Sequence, residues 1–107
     1  MSLFCLVHGS TQNASGWDLL VPALEQFGHD TVRMDLPTNE PEASATRYAE
    51  AIAAAIPADR GDVVVVAHSA SGLFLPLVPG KCRVQRLVFL AAVIPQIGRS
   101  LLDQVFC

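Results

Sequence analysis

Charge is sparse in this 107-residue sequence: 16% of the residues are Asp, Glu, Lys or Arg, against 51% hydrophobic. So little charge and so much apolar material suit a single globular core. The formal charge of -3 and a pI near 5.4 leave no basic stripe for nucleic acid and no polybasic patch for an anionic membrane. Cysteine is scarce as well. Cys5, Cys82 and Cys107 are odd in number and lack metal-type spacing, which argues against a disulfide framework or a zinc site. Reduced thiols are expected, with Cys5 in the core. No long apolar span occurs, and the N-terminal run Leu3 to Val7 has no charged leader or cleavage site, so the default expectation is a cytoplasmic location. There is no internal repeat or low-complexity linker. Residues 1–107 are therefore read as one domain, with neither cofactor nor metal implied.

Against this background one stretch stands out, Asp62 to Gly72, which reads Asp-Val-Val-Val-Val-Ala-His-Ser-Ala-Ser-Gly. Four successive valines form a β-branched run without alternation, the pattern of a parallel strand buried on both faces. The run breaks into small residues around Ser69: Ala67 two before it, Ser71 two after it, then Gly72. A sharp strand-to-helix turn that lifts a serine above a sheet needs small side chains at those places, because its backbone is crowded and strained. Ser69 is thus the candidate nucleophile. A buried strand followed by a helix N-cap serine gives the same pattern.

Along the chain, strands and helices alternate. Leu3 to Val7 is a first strand, followed by a polar loop from His8 to Gly16. Trp17, Leu20, Val21, Leu24 and Phe27 recur at helical spacing, with Ser15 as a cap and Gly28 as a stop. Pro22 means either an irregular first turn or a regular helix that begins near Val21. Asp30 to Leu36 suits an edge strand, because Arg33 interrupts its apolar run. A helix begins after Ser44 with Ala45, Tyr48, Ile52, Ala55 and Ile56 on one face, and Pro57 ends it. Val63 to Ala67 is the third strand. Ala70 to Leu77 is a short helix disturbed by Pro76 and Pro79, Val84 to Val93 a buried fourth strand, and Ser100 to Cys107 the start of another helix.

This alternation predicts an α/β domain with a parallel sheet and right-handed crossovers. With the first strand between the second and third, the order is 2-1-3-4. Ligands of such sheets bind at the carboxyl ends of the strands where the order reverses. The loop at His8, Gly9 and Ser10 and the turn at Ser69 both fall there.

Leu6-Val7-His8-Gly9 with the following Trp17, Asp35-Leu36-Pro37 after a strand, and Val66 to Gly72 together resemble the N-terminal part of the α/β-hydrolase superfamily, closest to its small esterases and hydroxynitrile lyases. The resemblance implies a three-layer α/β fold with a four-stranded parallel sheet, the N-terminal half of the hydrolase fold. It makes Ser69 the nucleophile and gives the oxyanion hole to the backbone N–H groups of Ala70 and Ser10. His8, Gly9 and His68 are expected to line the pocket, and the substrate is expected to be a small ester or acyl compound. Two donors aimed at one oxygen stabilise a tetrahedral intermediate by roughly 3 kcal/mol each.

The resemblance also implies a serine, acid, histidine order in which the last two lie beyond residue 107. None of the local residues is a natural substitute: His8 shapes the oxyanion loop, His68 points away from Ser69, His29 sits solvated at a helix end, Asp35 orders its loop, and Asp103 is a helix N-terminal charge. Losing a core triad member costs on the order of a millionfold in turnover, so weak or absent catalysis is expected. Uncovered apolar surface over the third and fourth strands, with an open fourth strand, predicts self-association edge to edge or face to face. The alternatives are a non-catalytic, self-associating remnant and a flavodoxin-like phosphate or flavin binder that uses Gly9 to Asn13 as its phosphate loop.

Overall fold

A computed structural model describes residues 2–9, 12–40 and 42–94. The expected helix over 100–107, with Asp103, lies outside the described residues, as do Ser10 and Cys107. Four strands, β1 (Leu3–Val7), β2 (Asp30–Arg33), β3 (Val63–Ser69) and β4 (Arg86–Ala92), form one parallel sheet in the order β2-β1-β3-β4. Helix α1 (Leu20–Gln26) covers one face. Helix α2 (Ala45–Ala55) covers the other together with two 3-10 turns, Ala70–Leu73 and Leu75–Gly80.

The alternation of side chains along a strand explains the two cores. Leu3, Cys5 and Val7 of β1 and Val63, Val65 and Ala67 of β3 face α2, packing on Ala49, Ile52, Ile56, Leu75 and Val78. Leu6 of β1 and Val64 and Val66 of β3 face α1 and meet Trp17, with Phe4, Val21 and Leu24 beside them. The valine run is apolar at every position because both its faces are covered. Burial of a side chain such as Ile52, fully excluded from solvent, contributes about 1.5–3 kcal/mol. Burial also pushes the Cys5 thiol up to about 12, with Cys82 nearby adding to the effect. A thiol so deep in the core stays protonated and unreactive.

Several elements depart from expectation. The segment after β1 is capped by Asn13, whose side chain accepts from the Ser15 N–H, rather than by Ser15. A 3-10 turn over Ala14–Trp17 precedes α1, which begins at Leu20 with Pro22 in its first turn, as the proline led one to expect. Phe27 and Leu20 are exposed, so the buried stripe of this region is narrower than its spacing suggests. Strand β2 stops at Arg33, and beyond it the Leu36 N–H donates to His8 and the Asp35 carboxylate accepts from the Ala14 N–H. Prolines split the helix expected over 70–77 into two 3-10 turns. Strand β4 is shorter than expected and is not buried on both faces: Leu87 and Phe89 pack on the α2 side, while Val88 and Leu90 are 38% and 45% exposed on the other. Helix α1 lies over β1 and β3 and does not cover Val88 and Leu90.

His29 is partly buried rather than freely solvated. Its Nδ1 accepts the Ser2 N–H at 3.0 Å, and its ring packs edge-on against Phe4.

Candidate active site

Strand β3 continues two residues past the expected Ala67, and its last residue is Ser69. There the backbone turns into the left-handed region, φ 59° and ψ -127°, where a side chain is strained. The chain then enters the 3-10 turn at Ala70, whose first N–H groups have no partner within the turn. The half-buried Ser69 hydroxyl forms no hydrogen bond among the described residues. So β3 delivers a serine at its carboxyl end, next to the reversal between β1 and β3.

Two close packings fix this turn. Ser71 is buried, and its hydroxyl donates to the His8 carbonyl, tying the turn to the end of β1. At Gly72 a Cβ would lie 2.0 Å from the Val93 carbonyl oxygen and 3.0 Å from the Ala92 Cβ, so only glycine fits. The partner strand adapts as well. The register slips between His68 and Ser69, which pair with Leu90 and Ala92, and the skipped Ala91 has φ 46°. This is a β-bulge, a device that re-aims a strand end. Beyond it the Val93 N–H donates to the Ser69 carbonyl at 3.0 Å.

His8, expected at the pocket, is instead 1% exposed. The Leu36 N–H donates to its Nε2 at 2.9 Å, so Nδ1 carries the proton and donates to the Gly9 carbonyl at 2.7 Å. Both ring nitrogens serve the backbone, joining the loops that follow β1 and β2. Gly9 approaches the serine closely: a Cβ there would lie 3.2 Å from the Ser69 Cβ. Its N–H, which a phosphate would need, is taken by Gln12 Oε1 at 2.8 Å. The flavodoxin-like alternative therefore lacks a free donor at this glycine.

His68 turns to the α1 side, where it packs edge-on against Trp17 and meets Gln12. It lines a cleft of about 220 Å³ with Gln12, Gly16, Trp17 and Leu90. On the α2 side, Ala70 and Ser71 line a second cleft of about 170 Å³ with Leu36, Thr38, Tyr48 and Phe74. A larger open depression of about 630 Å³, against residues such as Asn39, Glu40 and Arg47, includes none of these groups. Among the described residues no cluster of His, Cys, Asp and Glu could hold a metal ion. None of their helices is long and apolar enough to cross a membrane.

The roles of Gln12 and Ser71 were not apparent in the sequence. Ser71 could be noticed only as a small residue beside the turn, and Gln12 sits in a polar loop whose spacing carries no signal.

The sequence model of the alpha/beta hydrolase family matches residues 6–106. The probable esterase PIR7A of Oryza sativa subsp. indica is 34% identical over 111 residues, covering 92% of this chain and 41% of the relative. Among solved structures, an extracellular α/β-hydrolase from a Paenibacillus species superposes with a TM-score of 0.84 at 25% identity, over 97% of this chain and 46% of that one. Polyneuridine aldehyde esterase does so with a TM-score of 0.75 at 31% identity, over 99% and 46%. The chain thus spans less than half the length of the relatives it matches.

Proposed function

The chain belongs to the α/β-hydrolase family, and from that premise we propose that it carries the nucleophile half of a serine esterase site, with Ser69 as the attacking group. The observation that carries this reading is the strained backbone of Ser69 at the carboxyl end of β3. Such a turn lifts a hydroxyl clear of the sheet and turns the next N–H groups toward the same point.

In the proposed reaction Ser69 Oγ attacks the carbonyl carbon of a small carboxylic ester. The N–H of Ala70, with that of Ser10 as the second donor, takes the negative charge that develops on the carbonyl oxygen. The alcohol leaves, and water releases the acyl group from Ser69. Two relatives bear the name esterase, which supports an ester as the substrate class. The cleft of about 170 Å³ beside Ala70 supports a small acyl or alcohol group.

A base is needed to take the Ser69 proton. His8 has both nitrogens engaged, His29 accepts from Ser2, and His68 turns toward Trp17. Turnover by these 107 residues is accordingly slow. We also propose self-association through the bare face and open edge of β4, a second copy covering Val88 and Leu90.

Turnover of an activated aryl ester beside Ser69→Ala tests the reading, together with covalent capture by a serine-directed fluorophosphonate. We expect capture at Ser69 and a rate above the variant's by less than about a thousandfold, the scale of triad-level effects. Equal turnover and no capture would mean a non-catalytic chain. A larger ratio would show that a base is present.

A further inference from the structure

Gln12 takes no part in the chemistry described so far, yet it is bonded to both sides of the site. Its backbone N–H donates to the Gly9 carbonyl at 3.2 Å, and its side-chain Oε1 accepts the Gly9 N–H at 2.8 Å. The same oxygen lies 3.2 Å from His68 Nδ1. A glutamine carbonyl oxygen offers two lone pairs, and both are used here. Since Oε1 can only accept, His68 holds a proton on Nδ1 and donates it. Trp17 backs the His68 ring, the centroids 6.4 Å apart and the planes at 78°.

The sheet makes this link necessary. The ladder between β1 and β3 ends at the pair Val7 and Ala67, so Gly9 and His68 lie beyond the last strand pairing between them. Among the described residues, the ties across that gap are the Ser71 hydroxyl on the His8 carbonyl and the Gln12 bridge. Gly9 is packed close to the Ser69 Cβ, and His68 immediately precedes Ser69, so the bridge sets how the loop after β1 sits against the serine.

We propose that Gln12 is a positioning residue for acyl transfer, joining the backbone at Gly9 to the residue before Ser69 through one carbonyl oxygen. The proposal rests on the reading of Ser69 as the nucleophile. Displacing a reacting group by about 1 Å costs on the order of a hundredfold in rate, which is the scale on which a lost tie is felt.

The test follows capture of a fluorophosphonate by Ser69 in the 107-residue chain, in Gln12→Met, His68→Phe and the double variant. Imidazole 15N spectra and thermal midpoints are recorded alongside. Methionine fills the space without a carbonyl oxygen, so capture slows by at least about tenfold and His68 loses its fixed Nδ1–H form. Both single variants cut the same link, so the double variant is no slower than the slower of them. Capture by Gln12→Met at the wild-type rate, even with a lowered midpoint, would overturn the proposal, and so would additive losses in the double variant. Should Gln12→Met fail to fold, an unchanged capture rate in His68→Phe would overturn it instead. No capture by the wild type, with His68 still changing form in Gln12→Met, would refute the nucleophile reading and the positioning role with it while leaving the bridge itself in evidence.

Discussion

Ser69 occupies a backbone conformation that any residue but glycine adopts at a cost, and the bulge at Ala91 and the bond from the Val93 N–H to its carbonyl hold it there. A strained residue of this kind lowers stability by about 1–3 kcal/mol. Ser69→Gly is therefore expected to raise stability by about 1 kcal/mol, while Ser69→Ala, which keeps a Cβ, leaves stability nearly unchanged. Chemical denaturation of the three proteins measures this, and a glycine variant no more stable than the alanine one would remove the argument for strain. The small residues on either side were legible in the sequence because crowding excludes larger ones there. What each does was not. Ser71 is a tie to His8, and Gly72 makes room for the end of β4, two relations between residues far apart in the chain.

At the scale of elements, the turn after β3 and the end of β4 are one unit. A Cβ at position 72 would stand 2.0 Å from the Val93 carbonyl oxygen, well inside contact distance, and a backbone oxygen cannot swing aside as a side chain can. Gly72→Ala is expected to destabilise the fold by about 3 kcal/mol, the upper part of the overpacking range, with the loss read from the denaturation midpoint. A variant as stable as wild type would mean that the β4 end yields freely and does not brace the turn. Strands β1 and β3 were readable as buried elements because their composition answers to both faces of a sheet. The same reasoning misjudged β4. Its Leu-Val-Phe-Leu run is as apolar as β3, yet α1 stops short of it, so alternate residues stay open to solvent. Composition reports which surfaces are fit to be covered, and only the arrangement of neighbours reports which are covered.

The whole molecule is asymmetric in its cover. The α2 face is closed by α2 and the 3-10 turns, whereas the α1 face is closed over β1 and β3 and bare over β4. Val88 and Leu90 line the bare side, and β4 is at the edge of the sheet with one row of backbone groups unpaired by any described strand. An apolar surface on an open edge favours pairing with another copy. Light scattering is expected to give a mass above that of one chain, falling toward 11.4 kDa in Leu90→Lys, since a charge at that position cannot be covered cheaply. A wild-type mass of one chain at the highest soluble concentration would contradict the self-association proposal.

The sequence by itself determined the α/β class and the serine at the end of the third strand. Each of these rests on a local pattern: periodicity, a β-branched run, or small residues at a crowded turn. Tertiary structure alone decided that His8 spends its ring on Gly9 and Leu36, that Gln12 bridges Gly9 and His68, and that half of β4 lies bare. Hydrogen bonds between side chains and a distant backbone, and the reach of one helix over a sheet, depend on distances that folding creates. No spacing along the chain encodes them.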